Sequence, residues 1–91
     1  MDSWFEFLRL EADLALTFIE SARLKLDTHA RSRSLRRART ALEQIERALT
    51  DPESRGLTQE EAATLDQRRV QVVTALRNAA ALKWRIHAGG I

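Results

Sequence analysis

Apolar residues recur at intervals of three and four along almost the whole chain, which is the spacing of helices that bury one face. The apolar face of residues 3–27 is broad, which is typical of a helix that contacts two neighbours at once. It consists of Trp4, Phe5, Leu8, Ala12, Ala15, Ile19, Ala22 and Leu26, widened by Phe7, Leu14 and Phe18. A narrower seam follows at Leu35, Ala38, Leu42, Ile45 and Leu49. The last seam is Ala62, Leu65, Val72, Val73, Leu76 and Ala80.

Turn residues separate these three seams. Asp27 or Thr28 is suited to cap the second helix by accepting a hydrogen bond from a free backbone N–H, and Pro52 ends that helix. Thr58 and Glu61 have the spacing of a capping box, which marks the start of the third helix. We therefore predict three helices, at about residues 3–27, 30–50 and 58–87. Short links predict an all-α, antiparallel up-down-up bundle with a left-handed twist.

Composition limits the class of protein. A chain of 91 residues is predicted to form a single domain, 1–91, with residues 88–91 as a short C-terminal tail. It contains no cysteine, which excludes disulfides and thiolate metal sites. The first residues lack the features of a signal peptide, and no apolar run is long enough to cross a bilayer. We expect a cytoplasmic protein that has no membrane partner.

Motifs for catalysis are missing from the sequence. It has no glycine-rich phosphate loop, no Gly-x-Ser-x-Gly and no His-Glu-x-x-His. His29 and His87 are predicted at the same end of the bundle, but a stable metal site normally needs three or four ligands. Two exposed histidines are the simpler interpretation. We therefore expect no enzymatic activity, no cofactor and no small-molecule substrate.

Glu11 and Arg69 each interrupt an apolar stripe of their own helix. If the first and third helices run parallel, both residues lie about three turns from the same end of the bundle. One hypothesis is an interhelical ion pair that fixes the register of the helices. The alternative is that both side chains extend to water and bury only their aliphatic stems.

Charge is unevenly distributed although the net charge is only +2. In an up-down-up bundle, residues 1–14 and 43–66 share one half of the molecule, which would carry about −8. Residues 15–42 and 67–91 share the other half, which would carry about +10. The basic half contains a candidate anion- or partner-binding surface, which we call the basic pole. It consists of Arg31, Arg33, Arg36, Arg37, Arg39, Arg77, Lys83 and Arg85.

The basic pole has three interpretations. It binds nucleic acid or an acidic protein surface, or it meets the acidic half of a second molecule in head-to-tail association, or it is an ordinary solvated surface. No aromatic residues alternate with these arginines along the sequence, which argues against recognition of single-stranded nucleic acid by base stacking.

A candidate self-association surface lies late in the third helix. Its apolar positions change face there, and the large Trp84 lies close to the chain end with Leu82 and Ile86 on either side. A monomer has little left to cover these residues, so we interpret them as a possible homodimer contact.

The middle of the chain resembles a known class of helical module. Ala38-x-x-Ala41-Leu42, followed by Ala48-Leu49 and Pro52, is similar to the second helix and closing proline of a tetratricopeptide-type hairpin. The wider layout also resembles three-helix modules of the microtubule-interacting-and-transport kind. The resemblance implies a peptide- or protein-binding scaffold. The family's Trp, Leu-Gly and Tyr positions have no counterpart in the first helix, so no binding residue is carried over.

These observations favour a non-enzymatic helical module for protein–protein interaction, whose partner is another protein or a second copy. One alternative is binding of nucleic acid or another polyanion through the basic pole. A second alternative is an accessory or toxin-neutralising subunit.

Overall fold

The computed structural model describes the backbone of residues 3–89 and the side chains of residues 3–79. Three α-helices account for nearly all of this part, and it contains no β-strand. Their bounds are α1 Trp4–Leu24, α2 Thr28–Thr50 and α3 Gln59–Gly89, with a short 3-10 helix, Glu53–Arg55, before α3. Each helix packs against both others. The predicted all-α three-helix bundle is confirmed.

The direction of each helix follows from contacts at its ends. Lys25, just after α1, donates from Nζ to Oγ of Ser34 near the start of α2, at 2.7 Å. At the opposite end, Trp4 of α1 lies beside Arg47 near the end of α2. The two helices are therefore antiparallel. α3 returns beside them in the direction of α1, which gives the up-down-up order.

Hydrogen bonds form at the predicted caps of α2 and α3. Asp27, and not Thr28, caps α2, because its Oδ1 accepts from the backbone N–H of His29 at 2.9 Å. The capping box at α3 is reciprocal. The Thr58 N–H donates to Glu61 Oε1 at 2.9 Å, and the Glu61 N–H donates to Thr58 Oγ1 at 3.1 Å.

The turn between α1 and α2 begins earlier than predicted, because α1 ends at Leu24 and not at about residue 27. α1 ends at Leu24 because Lys25 has an extended backbone, with φ −87° and ψ 131°. The carbonyl oxygen of Lys25 accepts a hydrogen bond from Nη2 of Arg31 at 2.6 Å, which gives this carbonyl just after the helix end a partner. α2 then begins at Thr28, two residues earlier than predicted.

Small residues form the contact between α1 and α2. The buried positions of these helices include Ala12, Ala15 and Ala22 on one side and Ala38, Ala41 and Ala48 on the other. The predicted seam of α2 packs against the core, but its residues Leu35, Leu42 and Leu49 are only half-buried. Alanine at the contact lets two helices approach closely, and the leucines lie one position along, at the edge of the core.

The largest fully buried side chains fill the centre of the bundle. They come from all three helices: Leu8, Ile45, Leu65 and Val72. Their burial fixes which flanks of α1 and α2 remain at the surface.

Candidate interaction site

One flank of α1 keeps a row of large apolar side chains in contact with solvent. Trp4 is 46% exposed, Phe7 40%, Leu10 57% and Leu14 47%. Steps of three and four residues place them along one side of the helix. We call these four residues the α1 apolar row. It exists because the apolar face of α1 is wider than the surface that α2 and α3 cover.

Two shallow depressions lie between α1 and α2 on the side of this row. The first, of about 200 Å³, is lined by Trp4 and Leu8 of α1 and by Arg47 and Ala48 of α2, with Arg55 from the 3-10 helix.

The second depression has a volume of about 310 Å³. Leu14 and Phe18 line it from α1, and Arg36, Arg37 and Ala41 line it from α2. Because the two helices are antiparallel, the two depressions follow each other along the same helix pair. We call them together the α1–α2 groove.

The two walls of the α1–α2 groove differ in chemistry. The α1 wall is apolar, while the opposite wall carries four arginines, Arg36, Arg37, Arg47 and Arg55. Among the residues that line the two depressions, Glu11 is the one acid. The groove is therefore amphipathic and strongly basic. Two of its arginines belong to the half of the molecule that we predicted to be acidic.

Aromatic rings hold two of these arginines in place. The guanidinium of Arg37 lies 5.6 Å from the ring centroid of Phe18, and that of Arg55 lies 4.6 Å from the ring of Trp4. Trp4 also meets Phe7 edge to face, with centroids 5.6 Å apart. Cation–π contacts orient the guanidinium planes and keep their charge at the groove.

Sequence analysis missed this pairing of aromatic residues with arginines. The partners in each pair lie on different elements and far apart along the chain, so no local spacing brings them together. Only the antiparallel register of α1 and α2 predicts that Phe18 faces Arg37.

The structure divides the predicted basic pole. Arg31 is half-buried and serves the first turn, and its Nε is buried without a partner among the described residues. Arg33, Arg36, Arg37, Arg39 and Arg77 are exposed, and none forms an ion pair with another described residue. Of these, only Arg36 and Arg37 line the α1–α2 groove. Lys83 and Arg85 lie outside the described side chains.

The proposed ion pair between Glu11 and Arg69 does not form in the structure. Arg69 Nε instead donates to Asp66 Oδ1 in its own helix at 2.9 Å, and an ion pair between Asp13 and Arg68, at 3.3 Å, joins α1 to α3. Glu11 and Asp13 lie on opposite flanks of α1, about 100° to either side of buried Ala12. Glu11 therefore faces the α1–α2 groove and cannot reach α3.

Other predicted features fall at the edge of the described structure. Leu82, Trp84 and Ile86 belong to α3, but their side chains lie outside the described residues, as does that of His87. His29 is exposed. Among the described side chains, no three of the metal-ligating types His, Cys, Asp and Glu gather in one place.

The character of the helices and a comparison with known proteins both bear on the class of protein. Within the described residues, none of the helices combines the length and apolar character needed to span a lipid bilayer. Compared with known proteins, the chain matches no protein-family model, no curated protein and no solved structure. The geometry of the α1–α2 groove is therefore the basis for assigning a function.

Proposed function

We propose that the protein is a non-enzymatic helical interaction module that binds another protein along the α1–α2 groove. The observation that carries this proposal is the α1 apolar row, four large side chains that are each at least 40% exposed, of which Trp4 and Leu14 line the groove opposite its arginines. Contiguous exposed apolar surface bordered by polar groups is typical of a protein-binding site.

The α1 apolar row is continuous, which distinguishes it from single apolar residues that happen to be exposed. Single apolar residues at a protein surface are common and need no explanation. From Trp4 to Leu14, however, the row extends over ten residues of one helix, or about 15 Å. Leu24, the last residue of α1, and Leu26, in the turn after it, are also exposed but form no such row.

The proposal agrees with the resemblance to tetratricopeptide-type hairpins without depending on it. A hairpin of two antiparallel helices presents a groove whether or not further repeats follow. Membership of that class stays a prediction, as does the homodimer contact late in α3. The absence of cysteine suits the reducing cytoplasm, where we expect the protein to act.

Binding of nucleic acid through the basic pole is the second candidate. It is favoured by the exposed arginines that have no acidic partner among the described residues. This candidate predicts affinity for DNA or RNA that falls steeply with salt. It also predicts that Arg39 and Arg77 matter as much as Arg36 and Arg37. Absence of binding at low salt would remove it.

Site-specific photocrosslinking in the source cell tests the proposal. A benzophenone amino acid is placed at Leu10 or Leu14 of the α1 apolar row and, as the matched control, at Val70 of α3, which is 48% exposed. We expect one protein, identified by mass spectrometry, to crosslink from both α1 positions and not from Val70. The same products from all three positions, or nucleic acid in place of protein, would contradict the proposal. The identity of the crosslinked protein also tests the accessory or toxin-neutralising role.

A further inference from the structure

We infer that the segment bound in the α1–α2 groove is an amphipathic helix of another protein, with an apolar stripe flanked by glutamate or aspartate. This inference rests on the proposed function and adds the chemistry of the partner.

The shape of the groove favours a helix. Its apolar wall continues from Trp4 to the half-buried Phe18, fourteen residues later on α1, a distance of about 21 Å. A helix of four to five turns covers this length with apolar residues at positions i, i+3 or i+4, and i+7. Both depressions are shallow and open, so they accept side chains from a helix and do not enclose a small molecule.

The charge of the groove specifies the rest of the partner. Four arginines line the two depressions against the single carboxylate of Glu11. An apolar helix laid in the groove would remove water from these guanidinium groups. This loss is unfavourable unless carboxylates on the incoming helix take the place of the water as hydrogen-bond partners. Carboxylates placed one turn from the apolar stripe meet Arg36 and Arg37 at one end and Arg47 at the other. Arginine forms bidentate hydrogen bonds with such groups.

A second copy of this chain does not supply the required charge. If two α1 rows packed together, each copy would bring Glu11 and Glu6 to the contact, because Glu6 lies one turn before Leu10 of the row while Asp13 lies on the α3 side. Four arginines on each molecule would then meet only two acids. The end of the chain fits no better, since residues 77–91 contain three cationic side chains and no acid.

Single-stranded nucleic acid is also a poor occupant. Base stacking needs a free ring face, and Arg37 and Arg55 already cover one face of the Phe18 and Trp4 rings. The aliphatic side chains of Leu10 and Leu14 offer nothing that a base or phosphate would recognise. Burial of these leucines requires an apolar partner.

Fluorescence anisotropy with synthetic peptides tests the inference on the full-length protein. The first peptide has eighteen residues, with leucine at helical a and d spacing and glutamate on both flanks. The second has the same composition in scrambled order, and the third carries lysine in place of glutamate. We expect the first peptide to bind at least about tenfold more tightly than either of the others, because only it supplies both the apolar stripe and the acids.

Matched variants locate the binding site and test the charge. Arg36→Glu with Arg37→Glu should weaken binding of the glutamate peptide about tenfold and strengthen binding of the lysine peptide. The control, Arg39→Glu with Arg77→Glu, changes charge equally but outside the groove and should shift affinity less than about threefold. Leu14→Ala should weaken binding about fivefold or more, and Val70→Ala should have no effect. Circular dichroism confirms that each variant is folded.

The outcomes separate the inference from the proposed function. The inference of an acidic helix is overturned if the scrambled peptide binds as tightly as the first peptide. It is also overturned if the control variant with Arg39→Glu and Arg77→Glu loses as much affinity as the variant with Arg36→Glu and Arg37→Glu. Tighter binding of a single-stranded RNA, or dimerisation that Leu14→Ala abolishes, overturns it in favour of those occupants. If no peptide binds but crosslinking from Leu14 identifies a protein, the inference fails and the proposed function stands. If both experiments fail, both are wrong.

Discussion

Asp13 of α1 and Arg68 of α3 form an ion pair, with Oδ1 and Nη1 3.3 Å apart. Each residue lies nine positions after the first residue of its helix. Because α3 runs in the same direction as α1, the pair shows that the two helices are in register. Leu24, where α1 ends, then lies level with Ala79, and α3 continues for ten further residues to Gly89.

The ion pair itself should contribute little to stability. Both side chains are partly exposed to water, so we expect a coupling free energy of about 0.2–1 kcal/mol that decreases with added salt. A double-mutant cycle with Asp13→Ala and Arg68→Ala, followed by urea unfolding, measures it. The matching cycle with Glu11→Ala and Arg69→Ala should give a value near zero. Stronger coupling in the second cycle would mean that the helix register described above is wrong.

The alanine contact between α1 and α2 should not tolerate a larger residue. Ala38 is completely buried, so Ala38→Leu should separate the helices or force strained side-chain conformations, at a cost of about 1–3 kcal/mol in the free energy of unfolding. Ala63→Leu, at an exposed position of α3, is the control and should change stability by less than about 0.5 kcal/mol. Similar values from urea unfolding of both variants would show that close approach of α1 and α2 is unimportant.

The capping box at the start of α3 should be worth a measurable amount. Thr58→Ala removes the hydroxyl that accepts from the Glu61 N–H and should destabilise the protein by about 0.5–2 kcal/mol. Thr64→Ala is the control, because its hydroxyl donates only to the Glu60 carbonyl within α3. Its effect in thermal or urea unfolding should be below about 0.5 kcal/mol. An unchanged Thr58→Ala variant would indicate that α3 starts elsewhere.

Local features of this fold could be predicted from the sequence, because they depend on neighbouring residues. The capping box at Thr58 and Glu61 is such a case, and so is the cap at Asp27. The orientation of α2 could not be predicted, since Ala41 and Leu42 fit the same apolar spacing. Whether Ala41 or Leu42 faces the core depends on how closely α1 packs against α2.

The candidate site could be predicted only in part. The wide apolar face of α1 and the run of arginines in α2 are both visible in the sequence. Their meeting in one groove depends on the antiparallel register, which brings Phe18 to Arg37 and Trp4 to Arg55. The predicted Glu11–Arg69 pair failed for the same reason, because a position within a stripe does not specify which neighbouring helix a flank faces.

Self-association through late α3 is a separate prediction. α3 continues ten residues past the point where α1 ends, and this part of the sequence contains Leu82, Trp84 and Ile86. We expect the mass measured by sedimentation to rise to that of two chains as concentration increases. Leu82→Glu with Ile86→Glu should restore the mass of one chain, whereas Val70→Glu should not. A single-chain mass for the unmodified protein at every concentration would contradict this prediction.

Amide chemical-shift mapping by NMR tests the central claim most directly. The isotope-labelled protein is titrated with the glutamate-flanked amphipathic peptide, and shifts are followed residue by residue. The α1–α2 groove predicts that the largest changes fall at residues 4–18 of α1 and 36–48 of α2, while α3 around Val70 stays unchanged. Changes centred on Arg77 and the rest of α3, or no changes at peptide concentrations where anisotropy shows binding, would contradict the account.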